Sequence, residues 1–252
     1  MNAKSAKMRL DELVVQRGWC ETRSQAKAII LAGKIRRGSH ILDKPGKVYR
    51  TDTAIGIIEP PRFVSRGGEK LEGFLSAYSI PITETYCLDV GASTGGFTDC
   101  LLQRGAKSVV CIDVGRAQLH SKLKADKRVQ NLEGLNARYL SPEQLPFPSY
   151  SIVVMDLSFI SLQKVLPAIW PLLKKNGFLI MLIKPQFEAD KRTVDAGRGV
   201  IRNPSIHQAV VKQIRLFCIK ELVPSQEIGC MESPLLGTAG NKEYLLGLQK
   251  KL

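Results

Sequence analysis

An ammonium group closes the least polar segment of the sequence. Residues 179–183 read Leu-Ile-Met-Leu-Ile, and Lys184 and Pro185 follow at once. A run this apolar predicts a strand that is buried on both faces, as in a parallel sheet covered by helices. Asp156 follows the run Ile-Val-Val-Met in the same way, and a carboxylate on a neighbouring strand would hold the ammonium group in place. A lysine without such a partner is more often a surface residue whose charged end reaches water.

A glycine turn lies earlier in the chain. Residues 88–102 read Leu-Asp-Val-Gly-Ala-Ser-Thr-Gly-Gly-Phe-Thr-Asp-Cys-Leu-Leu, which is typical of a strand, a tight turn and the start of a helix. Gly91, Gly95 and Gly96 permit positive φ angles and a close approach of a ligand to the backbone. The free N–H groups at the helix start would face that ligand. The spacing G-x-x-x-G-G departs from the dinucleotide fingerprint G-x-G-x-x-G, which disfavours an NAD-dependent oxidoreductase.

Two acidic residues lie at the ends of successive predicted strands around this turn. Asp89 would repel a pyrophosphate, but it would accept the amino group of S-adenosylmethionine. Asp113 ends the next strand, 24 residues later, where it can accept both ribose hydroxyls of an adenosine. Asn136 is either an adenine contact or an ordinary turn residue. The predicted cofactor is therefore S-adenosylmethionine, and the candidate contacts are Asp89, Gly91, Ser93, Thr94, Gly95, Gly96, Phe97, Asp113 and Asn136.

Predicted strands alternate with predicted helices through the larger part of the chain. The strands are residues 86–91, 108–115, 151–158, 178–185 and 242–248, and the helices are residues 95–105, 117–126, 162–173 and 206–219. This alternation predicts a doubly wound, Rossmann-like α/β sheet within a domain of residues 68–252. Ligands bind outside the carboxyl ends of the strands in such sheets, so the polar residues that end the strands should converge there.

A smaller α+β domain is predicted over residues 8–58. Leu10, Leu13 and Val14 have the spacing of a short amphipathic helix. A second helix follows, with Thr22 or Ser24 as its N-cap, and short strands come after it. Basic residues cluster around the second helix and its exit, which suits a phosphate backbone or simply a solvated face. These candidate RNA contacts are Arg23, Lys27, Lys34, Arg36 and Arg37.

Residues 59–67 read Glu-Pro-Pro-Arg-Phe-Val-Ser-Arg-Gly. Prolines stiffen a chain and glycine loosens it, so we interpret this segment as the linker between the two domains.

The composition narrows the class of protein. The chain has 252 residues, of which 44% are hydrophobic, and a net charge of +14 with a pI near 9.6. Such a charge favours polyanionic partners, either nucleic acid or an anionic membrane surface. The sequence contains neither an apolar run of about 20 residues nor an apolar signal core, so we expect a cytoplasmic protein. The six cysteines form no C-x-x-C pair, and we expect neither a metal site nor a disulfide framework.

Two resemblances extend this interpretation. The segments RLDELVVQRG, TRSQAKAII, AGKIRRG and DKPGKVY resemble the S4 RNA-binding domain. The segments VSRGGEKLEG, LDVGASTGGFTDCLLQRGA, DLSFISL, IKPQFE and GNKEYLL are similar to the TlyA family, and this match runs over essentially the whole chain. Members of that family are S4-fused, FtsJ-like ribosomal RNA 2′-O-methyltransferases that were once called haemolysins. The resemblance implies ribosomal RNA or a ribosomal subunit as the partner.

The resemblance also implies a catalytic tetrad. FtsJ-like enzymes use Lys-Asp-Lys-Glu, which corresponds here to Lys70, Asp156, Lys184 and Glu243. A neutral lysine could take the proton of a ribose 2′-hydroxyl, or a charged one could stabilise the developing alkoxide. Two alternatives stay open: a pore-forming cytolysin, and an RNA-binding ribosome-assembly factor that keeps the fold without catalysis. The target nucleotide, the ribosomal subunit and the oligomeric state are not determined by the sequence.

Overall fold

The computed structural model describes residues 6–58, 61–237 and 239–251. The chain divides into two compact units, and the division falls between Arg62 and Phe63. Among the described residues, no helix combines the length and the apolar character that a membrane crossing requires.

The amino-terminal unit combines two short helices with two small antiparallel sheets. Its elements are β1 Lys7–Arg9, α1 Leu10–Gln16, α2 Arg23–Leu31, β2 Ile35–Arg37, β3 His40–Ile41, β4 Val48–Arg50 and β5 Gly56–Ile57. Strand β1 pairs with β4, and β2 lies between β3 and β5. The core is a small apolar cluster that joins both helices to the strands: Leu10, Val14, Ala26, Ile30, Ile35 and Leu42.

The second helix begins at a capping box. The backbone N–H of Gln25 donates to the Thr22 hydroxyl (3.3 Å), and the Thr22 N–H donates to the Gln25 side-chain carbonyl (3.2 Å). Two N–H groups that the helix leaves without a partner are satisfied in this way. The structure thus selects Thr22 from the two predicted caps, and Ser24 lies inside α2.

A buried carboxylate ties α1 to α2. Asp11 is fully buried, and it accepts hydrogen bonds from the guanidinium groups of Arg9 (3.1 Å) and Arg23 (3.2 Å). The hydrogen bonds from Arg9, followed by that from Arg23, lower the pKa of Asp11 to about 2 against the effect of burial. Arg23 also pairs with Glu12 at 2.9 Å. Arg23, predicted as an RNA contact, therefore has a structural role inside its own unit.

The second unit is built around a seven-stranded sheet. Its elements are α3 Gly67–Ala77, β6 Tyr86–Val90, α4 Gly96–Gln103, β7 Ser108–Asp113, α5 Ser121–Lys124, β8 Val129–Glu133, β9 Tyr150–Met155, α6 Leu166–Ile169, β10 Leu173–Ile183, α7 Pro185–Glu188, α8 Lys191–Ala196, α9 Pro204–Glu221, β11 Ser225–Glu232 and β12 Tyr244–Lys250. The strand order is β11-β12-β10-β9-β6-β7-β8. One large apolar cluster contains Leu88, Val153 and Met181, and a second contains Cys87, Val154 and Ile180. Because these alternate along each strand, the sheet carries a core on both faces.

The strand order reverses between β6 and β9. The chain runs outward from β6 through β7 to β8, returns to pair β9 with the other side of β6, and continues to β10. These five strands are parallel, and the point of reversal is where ligands bind in doubly wound sheets. Residues 179–183 of β10 are fully buried, as the apolar run predicts.

The structure departs from the sequence prediction in several elements. The sheet is mixed, since β12 is antiparallel to both β10 and β11. Strands β8 and β11, which the sequence does not reveal, form its two edges. The predicted helix at 117–126 is reduced to α5. The predicted helix at 162–173 is broken into α6 and flanking 3₁₀ turns, because Pro167 and Pro171 each remove a backbone donor.

Candidate active site

Four polar side chains meet at the carboxyl edge of the sheet. Asp156 comes directly after β9 and Lys184 directly after β10, as predicted. Glu243 arrives by a different route, because β12 is antiparallel and its first residue, Tyr244, pairs with Ile183, the last residue of β10. Lys70 reaches the same place from the buried face of α3.

Each lysine of the predicted tetrad is paired with a carboxylate. The ammonium group of Lys184 lies 2.6 Å from Asp156 and donates to the Ser158 hydroxyl at 2.9 Å. That of Lys70 lies 2.5 Å from Glu243, and both partners are buried. The pairs line a single cavity of about 480 Å³. The structure thus brings all four tetrad residues together around a space of substrate size.

Close packing of glycines brings Lys70 to this cavity. A Cβ atom on Gly96 would lie 2.3 Å from the Ser65 hydroxyl and 2.8 Å from the Gly68 nitrogen, and one on Gly68 would lie 2.3 Å from the Phe63 ring. The start of α4 can touch the start of α3 only because Gly96 lacks a side chain, and Gly68 leaves room for the Phe63 ring.

The predicted glycine turn has a structural function beside its ligand-facing one. Gly91 has φ +84°, and a Cβ atom there would lie 2.5 Å from the carbonyl of Asp156. Gly95 has φ +93°, and its Cβ atom would meet the Leu123 side chain at 2.2 Å. Gly95 does not line the cavity. The other predicted residues of the turn line it together with Gly91: Ser93, Thr94, Gly96 and Phe97.

Asp89 has an unpaired oxygen at the cavity wall. Its Oδ2 accepts hydrogen bonds from the Thr98 N–H (3.0 Å) and hydroxyl (2.6 Å), whereas Oδ1 is buried and has no hydrogen-bond partner in the described part of the chain. Burial, reinforced by the charges of Asp156 and Asp113 and opposed by the bonds from Thr98, raises the pKa of Asp89 to about 7. A buried oxygen with no partner is costly, and the amino group of S-adenosylmethionine would satisfy it.

A second cavity, of about 410 Å³, adjoins the first. Asp113 lines it, with its two carboxylate oxygens oriented by N–H groups of Ser93 (2.8 Å) and Gly115 (2.7 Å). Asn136 also lines this cavity. Its side-chain carbonyl oxygen accepts a hydrogen bond from the Arg138 N–H at 3.0 Å and caps a 3₁₀ turn. Apolar residues complete the wall, as an adenine ring would require: Ile112, Val114, Leu135, Leu157, Phe159, Ile160 and Val165.

The two cavities share Gly91, Ser93, Asp156 and Ser158. A ligand with its amino group at Asp89 and its ribose at Asp113 would therefore have its middle beside Asp156 and the lysine paired with it. That is where the methyl-bearing sulfur of S-adenosylmethionine lies between its two ends. The donor set and the shape fit the predicted cofactor. Among the described residues no group of side chains has the make-up of a metal site.

Sequence reasoning missed several residues of the site. Ser158 lies two positions after Asp156 and ends the predicted strand 151–158, so its position at a strand end could have indicated it as a site residue. Ser65 and Arg66 also line the first cavity, and Arg66 donates a hydrogen bond to the Leu236 carbonyl. These two precede α3, and no local pattern relates them to the sheet. In the amino-terminal unit, the remaining basic candidates are exposed: Lys27, Lys34, Arg36 and Arg37.

The fold and the site define a methyltransferase of Rossmann-like architecture. A family model described as an FtsJ-like methyltransferase matches residues 63–250, and a model of the S4 domain matches residues 8–55. The chain belongs to the FtsJ-like methyltransferase family and carries an S4 domain, which confirms the predicted fold class.

The similar proteins span almost the whole chain. The 16S/23S rRNA (cytidine-2′-O)-methyltransferase TlyA of Mycobacterium tuberculosis is 41% identical, over 96% of this chain and 89% of its own length. Hemolysin A of Brachyspira hyodysenteriae is also 41% identical, over 94% of this chain and 98% of its own length. A solved structure named as a hemolysin, from Streptococcus thermophilus, has a TM-score of 0.73 and 39% identity, covering 99% of this chain and 90% of that one.

Cofactor affinity should depend on the proton of Asp89. Its raised pKa keeps the carboxyl protonated below about pH 7, so a ligand ammonium group must displace that proton. As the pH increases towards 7, the association constant for S-adenosylhomocysteine should rise by about one log unit per pH unit. Above pH 7 it should level off. Titration calorimetry in buffers of different ionisation enthalpy should detect the released proton.

Two variants make this test specific. Asp89→Asn should bind more weakly at pH 8 and lose the pH dependence. Asp113→Ala should weaken binding at every pH, because it removes the ribose contact, and should keep the slope. A wild-type protein that released no proton at pH 6 would remove Asp89 from the amino-group site.

Proposed function

We propose that the protein transfers a methyl group from S-adenosylmethionine to a ribose 2′-hydroxyl of ribosomal RNA. The observation that carries the proposal is the pair of lysine–carboxylate contacts in one cavity, next to a second cavity suited to an adenosine. The TlyA relative of Mycobacterium tuberculosis is named for this activity on cytidines of 16S and 23S rRNA. A ribosomal substrate also implies that the enzyme acts in the cytoplasm.

Lys184 has the central role in the proposed chemistry. When bound, S-adenosylmethionine supplies an activated methyl group on a sulfonium, so the protein needs to position the hydroxyl and handle its proton. Lys184 is oriented from two sides by Asp156 and Ser158, and its Nζ can donate to the 2′-oxygen or take its proton. Orientation of this kind brings the oxygen in line with the methyl group, which lowers the entropic part of the barrier.

Lys70 and Glu243 form the second half of the proposed catalytic group. Their contact is more buried than that of Lys184 and Asp156, since the side chains of Lys70 and Glu243 are 9% and 3% exposed. A cation so little solvated acts strongly on a nearby developing negative charge. We assign Lys70 to stabilising the reacting oxygen and Glu243 to holding that lysine.

The amino-terminal unit is proposed to recognise the RNA. Lys27, Lys34, Arg36 and Arg37 are exposed around α2 and β2, and the S4 domain model covers them. Such cations would bind phosphates of a structured RNA, either free or within a ribosomal subunit. We propose residues 8–58 as the RNA-binding domain, 59–67 as the linker and 68–252 as the methyltransferase domain; within that linker, residues 63–67 belong to the second compact unit. Residues 59 and 60 of that linker lie outside the described residues.

Methyl transfer is tested directly with labelled cofactor. The full chain is incubated with tritiated S-adenosylmethionine and with separated 16S and 23S rRNA, as extracted RNA and as intact subunits. Nucleoside mapping should then find label on a ribose 2′-oxygen. Label on a base, or no label while the cofactor and RNA both bind, would refute the proposed reaction. Lysis of red cells by purified protein without the cofactor would support a cytolysin instead.

Removing Lys184 should slow methyl transfer strongly while preserving cofactor binding. We expect Lys184→Ala to lower the single-turnover rate by about 10²–10⁴-fold at saturating RNA and cofactor, and Lys184→Arg to fail to restore it, because a guanidinium keeps its proton and differs in shape. Lys70→Ala should behave similarly or more mildly. The matched control is Lys175→Ala, which removes an exposed charge from the far end of the same strand. A near wild-type rate in Lys184→Ala would contradict the tetrad assignment.

The basic residues of the amino-terminal unit should separate into two groups. Arg36→Ala and Arg37→Ala should weaken RNA binding, lower its salt dependence by about one unit each in the log–log slope, and leave thermal stability unchanged. Arg23→Ala should instead destabilise the unit, because buried Asp11 loses one of its two arginine partners. Salt-dependent fluorescence anisotropy and calorimetric melting measure the two effects. Wild-type RNA affinity in both Arg36→Ala and Arg37→Ala would argue against recognition by this surface.

A further inference from the structure

A basic segment follows the turn that carries Lys184. After α7 the chain forms α8 and a loop, residues 197–203, before α9 begins. The segment exposes four cations, and within the described ranges 6–58, 61–237 and 239–251 none of their charged groups takes part in an ion pair: Lys191, Arg192, Arg198 and Arg202. The carboxylate of Asp190 is engaged as the cap of α8, where it accepts from the N–H and hydroxyl of Thr193. Asp195 in α8 is exposed as well, so residues 190–203 carry four cations and two carboxylates, and their net charge is +2.

Two buried polar side chains fasten this loop to the rest of the unit. The Asn241 amide accepts from the Ile201 N–H and donates to the Gly199 carbonyl, both at 2.9 Å. The Nε2–H of His207 donates to the Ile201 carbonyl at 2.9 Å. Asn241 and His207 are 2% and 3% exposed. Buried groups of this kind are costly unless fully bonded, so the loop is held in one conformation.

The backbone where this fastening begins is unusual. Arg198 has φ +52° and the next residue, Gly199, has φ +81°, so two consecutive residues are left-handed. A non-glycine residue adopts this conformation at a cost and keeps it only where surrounding contacts impose it. A Cβ atom on Gly197 would lie 2.2 Å from the Val200 carbonyl, which shows how tightly the turn closes. The result is a rigid loop that presents Arg198 and Arg202 to solvent.

The loop is anchored beside the catalytic group. Asn241 lies two residues before Glu243. The backbone carbonyl of Asn241 accepts a hydrogen bond from the Gly237 N–H at 2.8 Å. Gly237 in turn packs on the Glu243 carboxylate, since a Cβ atom there would lie 2.5 Å from Oε1. The other end of the segment leaves α7, which starts immediately after Lys184. The loop is thus connected to both paired lysines through intermediate residues, and none of residues 197–203 lines either cavity.

We propose that Arg198 and Arg202 bind phosphates of the RNA strand that carries the target ribose. The inference rests on the proposed function and adds an RNA-contacting surface on the methyltransferase unit itself. Guanidinium groups bind phosphate in a forked geometry, and a loop already fixed in conformation loses little entropy when it binds.

The test uses the full chain and three sets of variants. Arg198→Ala/Arg202→Ala removes both cations, and Arg202→Ala alone leaves the left-handed turn intact. Arg198→Lys/Arg202→Lys keeps the charge. The matched control, Lys175→Ala/Lys220→Ala, removes two exposed charges elsewhere in the same unit. Binding is measured by anisotropy across a salt series with extracted ribosomal RNA and, separately, with intact subunits.

We expect the double alanine variant to bind extracted RNA about tenfold more weakly and to lose about two units of log–log salt slope. Arg202→Ala alone should lose about one unit, and the lysine variant should retain most of the slope. Binding of S-adenosylhomocysteine, the melting temperature and the single-turnover rate at saturating RNA should stay at wild-type values, while KM for RNA rises.

Two results would overturn the inference. One is an RNA affinity and salt slope in the double alanine variant equal to those of the control variant. The other is a loss that occurs with intact subunits but not with extracted RNA, which would assign the loop to a ribosomal protein. Failure of the proposed function is distinguishable from either, because a wild-type protein that binds RNA without methyl transfer still gives the salt slopes on which the loop is judged.

Discussion

The ion pair between Lys184 and Asp156 is the constraint around which the catalytic unit is arranged. A charged group at the end of a fully buried strand is unfavourable unless an opposite charge and further hydrogen bonds accompany it. The sheet meets this requirement by placing β9 and β10 side by side in parallel, so that both strands deliver a polar residue to one edge. Ser158 supplies the additional hydrogen bond. The apolar strand thus fixes the position of the ammonium group, and the carboxylate of Asp156 offsets the energetic cost of placing a charge there.

The antiparallel strand β12 completes the arrangement. A sheet of parallel strands alone would direct only strand ends to the catalytic edge. Strand β12 runs the other way, so the residue before its start, Glu243, lies beside the end of β10. Lys70 then meets Glu243 from α3, a helix that contacts α4 through glycines. The cofactor-facing turn and the second lysine are therefore positioned by the same contact between helices.

The sequence predicts the parts of this site that depend on local pattern. Asp89, Asp113, Asp156 and Lys184 follow from alternation and strand ends, because those features are encoded within a few residues. Lys70 and Glu243 came only from the resemblance to a family, since their contact joins segments that are remote in sequence. Strands β8 and β11 escaped prediction because edge strands carry mixed polar and apolar residues. The pairing of Arg23 with Asp11 and the fastening by Asn241 are tertiary contacts, and neither has a sequence signature.

The contact between Lys70 and Glu243 spans 173 positions of the chain. Closing the intervening chain costs entropy that contacts within the glycine turn do not cost, so we expect this contact to form after the local ones. The cofactor-facing turn, by contrast, consists of residues close together in sequence. A partly folded chain could therefore have native helices and a formed glycine turn while lacking the proposed catalytic group. During refolding, methyltransferase activity would return only when Lys70 and Glu243 come into contact. Recovery of activity would therefore measure this step, whereas recovery of secondary structure would not.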